Sequence, residues 1–136
     1  MYTYIRKAQY HETDKMGIIH HSNYVKWMEE ARIEFLDFLG FGYKEMEERG
    51  IISPVADISV SYKKSVCFND EVEISVFIKK YTGVVLELGY EFVNKSDDSV
   101  CTTAASKHGF IANGKVVSLK RELPELDKLI REYINK

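Results

Sequence analysis

Between residues 23 and 39, Tyr24, Trp27, Met28, Ala31, Phe35 and Phe38 recur at three- and four-residue steps, and Val25, Ile33, Leu36 and Leu39 widen the stripe. A helix with so broad an apolar face must be wrapped by other structure rather than lie loosely on a surface. After Pro54 the period drops from 3.6 to 2. Ala56, Ile58, Val60 and Tyr62 alternate with Asp57, Ser59, Ser61 and Lys63, the pattern of a half-buried strand. The same alternation returns over 72–78 and again over 84–92, so sheet supplies the cover.

The punctuation favours antiparallel pairing. Tyr81-Thr82-Gly83 has the length of a hairpin connection, and 94–98 carries the Asn, Ser and Asp of a polar turn. Residues 100–112 read as a further strand. Asn113-Gly114 is the strongest two-residue hairpin signal, because both positions tolerate positive φ, and 115–119 should pair back. A first strand is expected over 3–10. Gly40 and Gly42 end the long helix, 43–49 adds a short helical segment, and Leu123, Leu126, Leu129, Ile130 and Tyr133 make a closing amphipathic helix with Pro124 in its first turn. The order β-α-β-β-β-β plus a helix predicts an α+β fold, with an antiparallel sheet wrapped around one long central helix.

The 136 residues contain no Pro/Ser-rich linker, so one domain over 1–136 is expected. With 19 basic and 21 acidic residues the net charge is −2, which offers no broad field for nucleic acid or an anionic membrane. The start, M-Y-T-Y-I-R-K-A, lacks a signal-peptide core, and no segment reaches the roughly 20 apolar residues of a membrane span. A soluble, cytoplasmic protein is expected. Cys67 and Cys101 stand far apart, outside C-x-x-C spacing, and read as reduced, partly buried strand residues.

The chemistry concentrates just before the long helix. The acidic, glycine-containing loop E-T-D-K-M-G-I-I-H-H runs directly into it, which sets the Asp14 carboxylate near the open N–H groups of a helix start; together these can attack and polarise an acyl carbonyl. Asp and Gly also favour turns whatever the chemistry, so T-D-K-M-G admits a purely structural role. His20 and His21 are adjacent, without the i, i+4 spacing or third ligand of a metal site, and no metal is expected. Glu29 on the helix is a reserve carboxylate or a polar lining for an acyl pocket, and Arg32, three residues on, is expected to order the loop or Glu29. Lys63 and Lys64, and separately Lys107 and His108, lie on or beside strands where they could meet phosphates. Ser59 and Ser61 share the polar strand face.

The segment E-T-D-K-M-G-I-I-H-H-S-N-Y-V-K-W-M-E-E-A-R, followed by I-S-V-S-Y-K-K-S-V-C-F-N-D-E-V-E-I, resembles hotdog-fold acyl-CoA thioesterases of the 4-hydroxybenzoyl-CoA thioesterase class, nearest the bacterial short-chain and fatty acyl-CoA branch. The family pattern Asp-x-x-Gly-(apolar)-(apolar)-x-x-x-x-Tyr falls on Asp14, Gly17, Ile18, Ile19 and Tyr24. The resemblance implies hydrolysis of an acyl-CoA to a carboxylic acid and CoA without metal or redox cofactor, coenzyme A being part of the substrate. Asp14 is then the nucleophile or the general base, with both routes open. The amides of His21, Ser22, Asn23 and Tyr24 become the oxyanion site, His21 foremost and with its imidazole near the thioester. Lys63, Lys64 and Ser61 become contacts for CoA. It also implies a homodimer with a continuous sheet, assembling to a homotetramer, and an active site between subunits. A non-catalytic acyl-CoA or acyl-carrier binding protein remains a rival, as does a hydratase or dehydratase, although Ile19 stands where such enzymes place a histidine.

Overall fold

A computed structural model describes residues 1–135. Strand β1 (Tyr2–Lys7) is followed by one turn of 3-10 helix (Tyr10–Glu12), a loop, α1 (Ser22–Leu39) and α2 (Tyr43–Glu48). Then come β2 (Ile51–Ile52), β3 (Val55–Tyr62), β4 (Glu71–Tyr81), β5 (Leu86–Asn94), β6 (Ser99–His108), β7 (Ile111–Ala112) and β8 (Lys115–Val116), closed by α3 (Leu119–Glu122) and α4 (Pro124–Ile134). The architecture is α+β. An antiparallel five-stranded sheet runs in the order β1-β4-β5-β6-β3, and β2-β7-β8 form a small second sheet.

Alternation decides which strand residues meet the helix. Val72, Ile74 and Val76 of β4 and Leu86, Leu88, Tyr90 and Phe92 of β5 are buried, and share one core with Tyr24, Trp27, Met28, Ala31, Phe35 and Leu36 of α1. Leu119, Leu123, Leu126 and Ile130 join that core from the closing helices. Each fully buried Leu, Ile or Phe contributes roughly 1.5–3 kcal/mol. Gly40 ends α1 at φ 106°, with its N–H directed to the Asp37 and Leu36 carbonyls. This is the left-handed closure that glycine permits.

Several expectations need correction. β1 stops at Lys7 rather than Tyr10, because the chain turns into the 3-10 segment. β3 is exposed along nearly its whole length, Val55, Ile58 and Tyr62 included, since it is an edge strand. Val25 and Phe38 of the apolar stripe are likewise exposed. The expected strand over 100–112 is two, interrupted at Gly109 and Phe110, and the return after Asn113-Gly114 pairs only Lys115 and Val116 before α3 begins. The turn itself has positive φ at both residues, 52° and 74°, as a type I′ hairpin requires. Cys101 is a buried strand residue, but Cys67 is exposed, lies outside the named strands and forms an isolated bridge to Ile18.

One buried carboxylate fixes the entrance to α1. Glu12 accepts hydrogen bonds from Trp27 Nε1 (2.9 Å), Gln9 N (2.8 Å) and Arg6 Nη2 (2.9 Å). Its backbone carbonyl accepts two more, from His20 N and Asn23 Nδ2, each at 2.9 Å. Arg6 also pairs with Glu30 at 2.9 Å and lies over the Trp27 ring. Removing one partner of a buried ion pair leaves the other desolvated without compensation. Glu12→Ala should therefore lower the unfolding free energy by about 3 kcal/mol, measured by urea denaturation, with Glu12→Gln losing less because it still accepts from Trp27.

Candidate active site

The loop between the 3-10 turn and α1 folds back on itself as a tight hairpin. Asp14 N donates to the Ile18 carbonyl (2.8 Å), Gly17 N to the Asp14 carbonyl (3.1 Å), and Ile19 N to Val66 (2.8 Å). Gly17 sits at φ 81°, where a side chain would be strained. Inside this turn Asp14 Oδ1 accepts from Met16 N at 2.8 Å and from Ile18 N at 3.4 Å. Oδ2 receives no hydrogen bond from the described residues. The turn thus occupies one carboxylate oxygen and leaves the other available.

The helix start is arranged in a complementary way. Ser22 N donates to His20 Nδ1 (3.2 Å), Asn23 N to the His20 carbonyl (3.0 Å) and Tyr24 N to the His21 carbonyl (3.2 Å). Among the described residues the His21 N–H alone of this group is given no acceptor. Because an amide donates to His20 Nδ1, that nitrogen carries its lone pair, and the ring is held as the Nε2–H tautomer. The His20 and His21 rings stack with centroids 4.2 Å apart. The Tyr62 hydroxyl donates to the His21 carbonyl (3.3 Å) and clamps β3 onto the helix start.

A cavity of about 280 Å³ joins these parts, lined by Asp14, Ile18, His21, Tyr24, Lys63 and Lys64 among others. The candidate site residues Asp14, His21, Tyr24, Lys63 and Lys64 therefore meet in one place. Burial pushes the Tyr24 hydroxyl up to about 12, with Cys101 and Tyr62 as further causes, so it stays protonated at neutral pH. Tyr62 lines the same cavity. Sequence periodicity gave its face of the strand but not this contact.

Other candidates lie elsewhere. Ser59 and Ser61 border a separate hollow on the opposite face of the sheet with Phe77 and Thr103, as the period of two dictates once Tyr62 faces the helix. Ser61 is therefore not gathered with Asp14. Ser22 bonds the His20 ring, and the buried Asn23 side chain is spent on the Glu12 and His20 carbonyls; neither lines the cavity. Glu29 is exposed and borders a different, smaller cavity with Arg32 and His108. His108 is buried, its Nε2 2.6 Å from Ser106 Oγ, which rules it out as a surface phosphate contact. Lys107 remains exposed, in register with Asp57 and Glu87. Glu12, the anchor of the loop, was missed; the Q-Y-H-E spacing that lets a glutamate reach back to an amide three residues earlier was the available signal.

The family model described as the thioesterase-like superfamily matches residues 8–131. The chain belongs to that superfamily. This thioesterase-like protein is 38% identical over 102 residues to YneP of Bacillus subtilis, covering 75% of this chain and 73% of that one. It is 27% identical over 88 residues to the acyl-CoA thioester hydrolase YbgC of Escherichia coli, 65% of this chain and 66% of that one. Among solved structures, the DHNA-CoA thioesterase from Staphylococcus aureus superposes with a TM-score of 0.94 at 35% identity, covering 98% of this chain and 90% of that one.

The thioesterase-like protein buries one imidazole with a stability consequence. Burial, and after it the charge of Arg32, pushes His108 down from 6.5 to about 3. The unfolded chain thus takes up a proton that the folded one refuses. Stability from this group is complete above about pH 6.5 and is lost as pH falls toward 3. The slope approaches about 1.4 kcal/mol per pH unit in that window. His108→Gln should remove this part of the slope when unfolding free energies of the two proteins are compared from pH 7 to pH 4.

Proposed function

We propose that the protein is an acyl-CoA thioesterase, cleaving R–CO–S–CoA with water to a carboxylic acid and CoA. The observation that carries this is the single cavity into which Asp14 and His21 both face, one with an unoccupied carboxylate oxygen and the other with an unengaged N–H. The thioester carbonyl oxygen accepts from the His21 amide at the positive end of α1, which stabilises the negative charge developing on attack. Asp14 Oδ2 takes the proton of the attacking water, or attacks the carbonyl carbon itself to form an anhydride that water then opens. In either route the C–S bond breaks and the CoA thiolate leaves. Its pKa lies close enough to neutrality that no strong general acid is required. Ser22, Asn23 and Tyr24 serve here as scaffold for that amide.

Lys63 and Lys64, exposed at the cavity rim, are positioned to meet the phosphates of CoA, which is the charge a substrate of this kind brings to a protein of net charge −2. We assign the chain one hotdog domain with its sheet wrapped around α1. The free edge of β3, with Val55, Ile58 and Tyr62 exposed beside it, supports a homodimer that extends the sheet and pairs again into a tetramer, since an uncovered edge of this length is otherwise a liability. Metal and redox cofactors have no part in the proposed reaction.

Asp14→Asn retains the turn-forming oxygen and removes the charge. It should fold with unchanged cooperativity and lose about a hundredfold or more in kcat, read as free thiol released from a panel of short- to long-chain acyl-CoAs. Full turnover by this variant across the panel would overturn the role of Asp14. Saturable acyl-CoA binding by the wild-type protein with no thiol release would identify a binding protein instead.

A further inference from the structure

The smaller cavity between α1 and β3, about 80 Å³, contains groups that hydrolysis at Asp14 does not use. Its walls are Val25, Met28 and Ile58, with Arg32, Ser106 and His108 as polar lining. Arg32 is 5% exposed, Ser106 3% and His108 2%. Arg32 has no carboxylate within salt-bridge distance and no hydrogen-bond partner among the described residues; its guanidinium lies over the Tyr43 ring, 5.4 Å from the centroid. A cation–π contact offsets only part of the cost of desolvating a guanidinium. Glu29, three residues earlier and on the same cavity, is exposed and does not pair with it.

The imidazole beside it is also incomplete. His108 Nε2 is bonded to Ser106 Oγ (2.6 Å), which meets the Tyr90 hydroxyl at 2.8 Å, while Nδ1 is buried with no partner among the described residues. His108 adds no charge, so Arg32 is the single positive charge inside the cavity. One buried positive charge with an open fork of donors, set among apolar walls, matches one carboxylate.

Position says where that carboxylate would come from. Tyr24 and Tyr62 line the Asp14 cavity, and Val25, Met28, Glu29 and Arg32 of α1 with Ile58 and Val55 of β3 line the second. Both cavities thus lie along one seam between α1 and β3. His21 and Arg32 are separated by about 16 Å of helix rise, and the Arg32 guanidinium lies against Tyr43 at the start of α2, so an acyl chain joining the two sites spans at least that distance.

We propose that Arg32, with His108 and Ser106 behind it, binds a carboxylate at the far end of the acyl group, so that the preferred substrates are mono-CoA thioesters of long-chain dicarboxylic acids. This rests on the thioesterase assignment above and narrows its substrate class. The guanidinium supplies two parallel N–H donors to the terminal carboxylate, the apolar walls take the methylenes, and Glu29 at the rim repels an acid that enters without its thioester end anchored.

The test compares dodecanedioyl-CoA and hexadecanedioyl-CoA with dodecanoyl-CoA and hexadecanoyl-CoA on the wild-type protein, Arg32→Met and Arg32→Lys. The wild type should favour the carboxylate-ended substrate of each pair at least tenfold in kcat/KM, chiefly through KM. That ratio should fall to about one in Arg32→Met and recover in part in Arg32→Lys. In parallel, dodecanedioate is titrated into the wild-type protein while the Arg32 Nε–H resonance is followed, which needs no variant to fold. A shifted resonance is expected. A wild-type ratio near one, a ratio that survives in Arg32→Met, or dodecanedioate binding without any preference among the thioesters would each overturn the acyl-tail assignment. Failure of the wild type to hydrolyse any of the four substrates would instead sink the thioesterase assignment itself, and the dodecanedioate titration would still report on Arg32.

Discussion

The placement of the candidate active site depends on Glu12. Its side chain is sunk among Arg6, Trp27 and the Gln9 amide, and its carbonyl receives both His20 and the Asn23 side chain. The chain leaves Glu12, runs through the Asp14 turn and returns to Glu12 before the helix starts. Entry and exit of that excursion are therefore fastened to one residue. A loop closed in this way loses much of its freedom before any ligand arrives, which is the condition under which a carboxylate and an amide act together without reorganising.

What could be read from the sequence followed from periodicity. The long helix is found to within one residue, its glycine stop is found, and the strands over β4 and β5 carry their apolar face inward as the alternation requires. The Asn113-Gly114 turn has the backbone its residues specify. Periodicity does not tell which strand ends at an edge. The apolar side of β3 reads like that of β4, yet β3 has a neighbour on one side only and stays exposed. Nor does it mark the break at Gly109 and Phe110, where the chain leaves one sheet for another.

The site was legible in part for a similar reason. Asp14, His21, Tyr24, Lys63 and Lys64 line one cavity because the first three lie in one local segment and the lysines follow directly from the strand that ends beside it. Ser61 lines a different hollow because, within β3, a period of two turns it to the face opposite Tyr62. Glu29 borders a different cavity because a helix carries residues more than a turn apart toward different places along its length. Glu12 and Arg32 were harder. Their significance lies in what surrounds them, one charge amply paired and the other without an ion-pair partner among the described residues, and composition is blind to that difference.

The Asp14 turn also changes what its short signature means. Gly17 occupies a left-handed backbone position, and its N–H closes the turn on the Asp14 carbonyl. An aspartate followed three places later by glycine is thus demanded by backbone geometry before any substrate is considered. A chain that kept both residues but had lost its activity would still need them to fold this bend. Survival of that spacing in a distant sequence is evidence of shared shape, and evidence of shared chemistry must come from the unengaged oxygen and the amide facing it.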